Sequence, residues 1–461
     1  MVADLTKEEI LSLSHKVVDY ALTKNVDAAE VFSHLNSQTQ VMTEGRSIAN
    51  ERDKSELGFA IRVIKGESEG FSYSNKADLN SLKNTVDEAI GTASVAPANP
   101  GIRLAAPTDY KQISGIYTSS VTNLTIDDLI EDAKAVLAPM GEVSVDVRTN
   151  LSSMTKQEEW QSVVNSLGVE AFQKSNNYTG GFFVVPRDGD KVGAFVFDDF
   201  FTHDPKSVDL RKFGEELTQR AVRNIDAEAP SKIDSDIVIF QKEGIFQPIA
   251  LVILQAISAL SVYQQRSMWK DKLADTVAIS DFNMIDDSLN PDGGGGVRAF
   301  DDEGNATQKT SIIKNGVLEN FLFDELRASK MNAKSTGNSW RSFGGARFMT
   351  PPSNIFPNAP IIQGGDFSYE ELLEDVKTGI TFEYFSGSFR AENGIFSGVA
   401  KGAQLIENGE ITKPLINVTI GGNIFELLMN ITGMTKELEL SNGFMKTPKI
   451  KVKGINISTQ N

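Results

Sequence analysis

The chain has 461 residues, 45 of them Lys or Arg and 62 Asp or Glu, for a formal charge of −17. Hydrophobic residues at 40% exclude a disordered chain, and the length exceeds one comfortable core, so two domains of roughly 150–250 residues are expected. Zero cysteine excludes disulfide scaffolds, Cys-zinc sites and thiol nucleophiles. Histidines only at 15, 34 and 203 leave little for His-based chemistry, and the acidic balance opposes a nucleic-acid or anionic-membrane partner.

The opening Met1-Val2-Ala3-Asp4-Leu5-Thr6-Lys7-Glu8-Glu9 has no basic-then-apolar signature of a secretory signal, so a cytoplasmic protein is expected. Thr6 and Glu9 form a capping box, and Ile10, Leu11, Val17, Val18, Ala21 and Leu22 share one helical face. Extended segments follow at Ala29 to Leu35, Gln38 to Thr43 and Leu57 to Ile64, then a turn at 65–70 and a return strand at Phe71 to Ser74. Asp78 caps a second helix, and Pro97, Pro100 and Pro107 punctuate a loop from Ser94 to Thr108. A capped helix spans Thr125 to Leu137, with strands at Val143 to Thr149, Glu170 to Gln173, Gly181 to Val185 and Val192 to Phe197. Leu210 to Ile225 is amphipathic, and Ala227-Glu228-Ala229-Pro230 marks the domain boundary.

Beyond it, Asp236 to Phe240 is a short strand. Ile245 to Tyr263 carries no charge and is near spanning length, but Gln247, Pro248, Gln255, Ser258 and Ser261 interrupt it. It reads as a buried core helix with Pro248 in its first turn. Asn315-Gly316 and Asn408-Gly409 read as hairpin turns, and Ile450 to Ile457 as one strand with its lysines solvated. The expected class is α+β. An N-terminal α/β domain, with a mixed or antiparallel sheet and helices, takes residues 1–229. A β-rich C-terminal domain with a buried central helix takes 230–461.

Candidate chemistry is sparse. Asp286-x-Ser288-x-Asn290-x-Asp292 begins like a calcium loop, but Pro291 stands where glycine is needed and Val297 where a bidentate Glu is needed, so residues 281–303 read as a solvated acidic loop. Gly293 to Gly296 lacks the Lys-Ser/Thr of a phosphate loop and reads as a flexible connection. Asn423 reads as the cap of a helix starting at Ile424. His203, before Asp204-Pro205, reads as a turn residue, and neither His15 nor His34 has a ligand-like spacing. A carboxylate dyad stays open, since linear sequence does not show which acids converge.

Several stretches in order carry a family resemblance. They are Gly58 to Ile64 with Gly70-Phe71, Asn165-Ser166-Leu167-Gly168-Val169, and Phe300-Asp301-Asp302-Glu303-Gly304 with the hairpin Lys314 to Leu318. Ser335-Thr336-Gly337-Asn338, Ile406 to Ile411 and Ile420-Gly421-Gly422-Asn423 follow. The chain resembles the TldD/PmbA family (peptidase family U62) along nearly its whole length, and more closely its TldE (PmbA) branch. The resemblance implies an intracellular zinc-dependent peptidase assembled as a TldD–TldE heterodimer and acting on unfolded or modified peptides. The catalytic subunit's His-Glu-x-x-x-His falls here on Leu251-Val252-Ile253-Leu254-Gln255-Ala256-Ile257, where nothing ligates zinc or takes a proton. Its cysteine near the C-terminus also has no counterpart. The implied role is a non-catalytic subunit, with no catalytic or metal residues of its own, zinc in a TldD-like partner, and homodimers compatible with the partner's absence.

In that role, Asn338, Arg341 and Arg347 are candidates for contacting peptide or partner, although arginines in such a stretch are read first as surface charges. Two other readings stand beside this one: a stand-alone hydrolase using carboxylates or another metal, and a regulator of DNA topology of the gyrase-modulator type.

Overall fold

The computed structural model describes residues 5–342 and 346–459; Met1 to Asp4 of the opening segment and Gly344-Gly345 of the Gly-rich stretch lie outside the described residues. Helix α1 (Lys7–Leu22) starts at the expected capping box. The Glu9 amide donates to Thr6 Oγ1 at 3.2 Å and the Thr6 amide to Glu9 Oε2 at 2.8 Å, satisfying N–H groups that a helix start leaves open. Strands β1 (Ala28–Gly45), β2 (Ser47–Lys65) and β3 (Ser68–Ser74) come next, then α2 (Leu79–Val95) capped by Asp78. Helix α3 (Ile126–Leu137) is capped by Thr125, and β4 (Asp146–Asn165), β5 (Glu170–Asp188), β6 (Val196–Thr202) and α4 (Leu210–Asn224) complete this half.

These strands form one antiparallel sheet in the order β3-β2-β1-β4-β5, with β6 also paired to β5. The long strands differ from the short ones expected. The segments read at 29–35 and 38–43 are one strand, and β4 and β5 each run about twenty residues through stretches too polar to read as strands. The reason is two-sided exposure to different neighbours. Because side chains alternate, one face meets helices and the other meets polar surroundings. Val31, Phe59, Ile61 and Val63 pack under α1 and α2, while Val41, Met154, Tyr178 and Phe182 pack under α3 and α4.

The second half is β-rich as expected. Strand β7 (Val238–Phe240) lies between Thr378–Phe382, parallel to it, and Ile450–Val452, antiparallel, inside a six-stranded sheet. A second six-stranded sheet, a four-stranded one and a two-stranded pair (Ser339–Trp340 with Asn354–Ile355) complete it. Both Asn-Gly turns form, with positive φ at Asn315 and Gly316 and at Asn408 and Gly409. Asn423 caps the short helix at 424, accepting from the Phe425 amide at 2.9 Å.

The expected core helix is buried but not regular. It begins at Lys242, passes through a π-turn at Phe246–Ala250 that contains Pro248, continues over Leu251–Ala256, and breaks before a last turn at Ala259–Tyr263. Pro248 is therefore inside the run and not in its first turn. A proline has no N–H for the regular ladder, and a widened turn absorbs the loss. Ile245, Ile249, Val252 and Ile253 are fully buried in the largest apolar cluster. No helix of the described residues is long and apolar enough to cross a membrane. Of the two C-terminal lysines, Lys453 is exposed as expected and Lys451 is corrected. Gly454, at φ +82°, separates Ile450–Val452 from Asn456–Thr459, and Lys451 is buried, donating to the Leu372 carbonyl at 3.0 Å and pairing with Asp375.

Candidate functional site: a cleft between the two halves

The sheet face that α1 to α4 leave free looks onto the second half across a cleft of about 830 Å3. Strand alternation builds its floor in rows. His34, Gln161 and Gln173 lie opposite one another on β1, β4 and β5, and so do Asn36, Glu159 and Ser175. Amides and hydroxyls dominate this surface. The facing wall is aromatic and aliphatic: Phe246 and Leu251 from the buried helical run, with Trp340, Phe356 and Phe444.

Two of the four glycines expected to be a flexible connection, Gly295 and Gly296, form part of that wall instead. A Cβ at Gly296 would sit 1.9 Å from the Asn358 carbonyl oxygen, and one at Gly294, already at φ +87°, would sit 2.4 Å from that of Gly443. They are glycine because backbone passes against backbone there.

The acidic stretch 281–303 is solvated only in part: Asp281 and Asp292 are exposed as expected, but the other end of it is not. Asp286, Asp301 and Asp302 are fully buried and Glu303 nearly so. Asp286 accepts from the amides of Asn358 and Ala359, and Asp301 from those of Glu303, Asn305 and Ser339. Asp302 and Glu303 join a chain of ion pairs across the two halves. Arg298 donates to Asp302 at 2.8 Å, Arg347 bridges Asp302 and Glu159 (2.6 Å), and Glu159 meets His34 Nε2 at 2.7 Å. Arg341 reaches Glu30 at 3.1 Å, Glu30 reaches Arg62 at 2.9 Å, and Arg62 reaches Glu303 at 3.2 Å. Buried carboxylates of this kind persist only when paired. Burial alone would raise Glu159, but His34 and then Arg347 reverse it, holding the carboxyl down at about 2.

A second group of charges flanks the other end. Lys242, at the start of the helical run, contacts Asp198 and Asp199 of β6, each at 2.8 Å, and Arg220 of α4 pairs with Asp198 and Glu383, each at 2.6 Å. Glu243 is buried and accepts from Ser441 Oγ at 3.0 Å and from the Asn442 amide at 3.2 Å. Burial first and Asp199 second push Glu243 up to about 7, against the pull of Lys242.

The sequence candidates fall at different depths. Asn338 is fully buried and off the cleft wall, donating to Asp286 at 2.7 Å and to the Phe356 carbonyl at 3.1 Å. Arg341 is also fully buried, over the Phe32 ring at 4.4 Å. Arg347 alone of the three lines the cleft. The surface-charge reading of the two arginines is thus corrected: Glu30, Asp302 and Glu159 hold them inside. His203, read as a turn residue, is half-buried with Nδ1 against the Asn176 carbonyl. Glu30, Arg62, Asp199 and Glu243 were not singled out from sequence. Arg62 had a signal, being a lone charge in the apolar run Gly58 to Ile64, buried on both faces of its strand.

Residues 235–459 match the PmbA/TldA metallopeptidase C-terminal domain, and residues 29–93 match PmbA/TldA metallopeptidase domain 1. A metalloprotease of Methanocaldococcus jannaschii is 36% identical, over 84% of this chain and 85% of its own. A metalloprotease PmbA homolog of Buchnera aphidicola is 24% identical over 98% and 99%. The crystal structure of TldE from Thermococcus kodakarensis shares the fold, with a TM-score of 0.86 at 22% identity over 97% of this chain and all of that one. The chain belongs to the PmbA/TldD metallopeptidase family.

The family name implies a metal, and this cleft does not fit one. The helical run presents Phe246 and Leu251 to it, and among residues 251–257 the one polar side chain is Gln255. Among the described residues, no group of three or more His, Cys, Asp or Glu is arranged to hold a metal ion.

Proposed function

We propose that this chain is the non-catalytic, TldE-like subunit of a two-subunit TldD/TldE-type metallopeptidase working in the cytoplasm, with zinc held by a partner of the same family that carries His-Glu-x-x-x-His. One observation carries the reading. The segment aligned with that motif, Leu251 to Ile257, is apolar apart from Gln255, sits in the core of the second half, and meets the cleft through Leu251. A side chain that cannot ligate a cation or move a proton does not activate water. The retained cleft supports a role in enclosing unfolded or modified peptide beside the partner's metal, where excluded water strengthens every polar contact.

A second reading keeps one supporting fact. Asp199, which lines the cleft, has the buried Glu243 as a neighbouring carboxyl raised to about 7, and a pair of carboxyls with one near neutral is the poise a carboxylate hydrolase needs. The same experiment separates the two. The purified chain is assayed for bound zinc and for cleavage of a denatured polypeptide, alone and after co-purification with a family member carrying the motif. The expected result is a metal-free, inert chain that forms a complex with the homologue, the complex being active. One metal per subunit with cleavage by the lone chain refutes the first reading. Metal-free cleavage that Glu243→Gln abolishes establishes the second.

A further inference from the structure

Strand β2 is paired on both sides along only part of its length. Strand β3 covers Phe59 to Lys65, and a Cβ at Gly58 would meet the Phe348 ring at 2.2 Å, so the cover ends there. Residues 47–57 pair with β1 on one side, and no strand among the described residues pairs with the other. Within the same residues, no backbone group of 47–57 bonds outside β1 except the Glu51 amide, which donates to Asn50 Oδ1 at 2.8 Å. An open edge is a template for another strand, and proteins blunt it with proline, shortness or a bulge. Neither Pro nor Gly occurs in 47–57, and the one bulge is at Ala49, beside the turn. What guards this edge is charge.

Those charges are sorted by face. Alternation sets Arg52 and Lys54 on the face that carries His34, and Glu51 and Asp53 on the face of Val41, against the helices. Across the ladder on β1 stand Val41, Gln40, Thr39 and Gln38, none of them charged. Lys54 holds Glu56 at 2.6 Å, and Glu51, Arg52 and Asp53 have no ion pair among the described residues.

The sorting decides what can pair. Two copies of one edge meet antiparallel with the same face up, so a residue stands opposite only residues of its own face. Centring the pair on Glu51, Arg52, Asp53 or Lys54 sets that charge against itself. Centring on Arg52 adds Glu51 against Asp53, and centring on Asp53 adds Arg52 against Lys54. Only centring on Lys54 offers an opposite pair, Arg52 with Glu56, which Lys54 already holds. Beyond Lys54 the overlap is cut short at Phe348. Like charges directly opposite are destabilising and opposite ones stabilising.

We propose that residues 47–57 are a docking edge for a strand of a different protein, one with carboxylates facing Arg52 and Lys54 and basic groups facing Glu51 and Asp53. The same sorting that admits this strand rejects a second copy of the chain, so attraction and exclusion come from four residues. The proposal concerns a surface away from the apolar helical run and does not rest on the subunit assignment.

The test builds the complementary strand from the chain itself. Glu51→Lys, Arg52→Glu, Asp53→Lys and Lys54→Glu together reverse the sorting and leave the net charge unchanged. Against the native chain, centring on residue 52 then sets the middle three charges opposite their complements. A second variant carries Gln at all four positions, and thermal melts confirm that both fold. Association is followed by native mass spectrometry and by hydrogen exchange of 47–57. The native chain alone and the reversed chain alone should exchange freely there. Their equimolar mixture should form a one-to-one complex with 47–57 protected, weakening about tenfold between low salt and about 0.5 M because the pairs are exposed. The glutamine variant should bind the native chain about tenfold more weakly than the reversed one does, as expected for losing three facing pairs. No complex in the mixture, protection elsewhere than 47–57, or equal protection in the native chain alone overturns the proposal. So does a glutamine variant that binds as tightly as the reversed chain. No zinc-bearing homologue enters the experiment, so its failure leaves the subunit assignment standing.

Discussion

The two ends of the cleft hold their buried charges in opposite ways. At the Arg347 end, Glu30, Glu69, Glu159, Asp302 and Glu303 meet Arg62, Arg298, Arg341 and Arg347, so each carboxylate finds a guanidinium and the chain of pairs ties the halves together. At the Asp199 end, two bases serve four acids. Carboxylates that each hold a guanidinium keep a structure in register, whereas at the acid-rich end Glu243 is raised to about 7. The first end is a paired network joining the halves, and the second is a carboxylate-rich cluster at the start of the apolar helical run.

The largest effect should come from breaking the balanced end. Asp302→Ala leaves Arg298, Arg347 and the Arg341 amide without their shared acceptor in a fully buried site. The expected loss is about 3–5 kcal/mol of unfolding free energy in a urea titration. A loss under about 1 kcal/mol would mean that water reaches the cluster and the pairs are not what joins the halves.

Next is Glu159, whose carboxyl is held at about 2 in the folded chain against about 4.5 when free. A depressed carboxyl contributes stability above its unfolded value, and that contribution is lost as pH falls toward the folded one. The native chain should therefore lose on the order of 3 kcal/mol between about pH 4.5 and 2 through this group. Glu159→Gln should lack that component, which acid titration of the melting temperature reads directly.

The unbalanced end has the opposite sign. Glu243 is raised to about 7, so its contribution is intact below about pH 4.5 and is lost as pH rises toward 7. Urea midpoints of the native chain should fall across that window by the equivalent of about 3 kcal/mol, and Glu243→Gln should flatten the curve. A native curve that is already flat would show that Asp199 and Glu243 are compensated by something other than a proton. The smallest effect serves as the control. Lys134 pairs with Glu131 on the solvent face of α3, both more than half exposed, and Lys134→Ala should change stability by less than about 0.5 kcal/mol.

What the sequence disclosed follows from how local each feature is. The Thr6–Glu9 capping box, the Asp78 and Asn423 caps and both Asn-Gly turns were legible because a few adjacent residues decide them. The long strands were not. Residues 155–159 of β4 look polar throughout, since every second side chain faces a polar cleft and the pattern of a half-buried strand disappears. The acids at 286 and 301–303 looked solvated because their partners lie far away in sequence: Arg62 is 241 residues from Glu303, and Glu30 is 311 from Arg341. The site was half legible. The vacancy at Leu251 to Ile257 could be seen by alignment to a motif, while Asp199 and Glu243 needed folding to bring β6 and the helical run together.

The central claim is that this chain supplies a cleft without metal chemistry. It is tested most directly by titrating the chain into a fixed amount of a family member carrying His-Glu-x-x-x-His and following the rate of peptide cleavage. The account predicts no cleavage by the chain alone at any concentration, and a rate that rises and saturates at a fixed ratio of the two. Cleavage by the chain alone, growing with its concentration and lost on chelation, would contradict it.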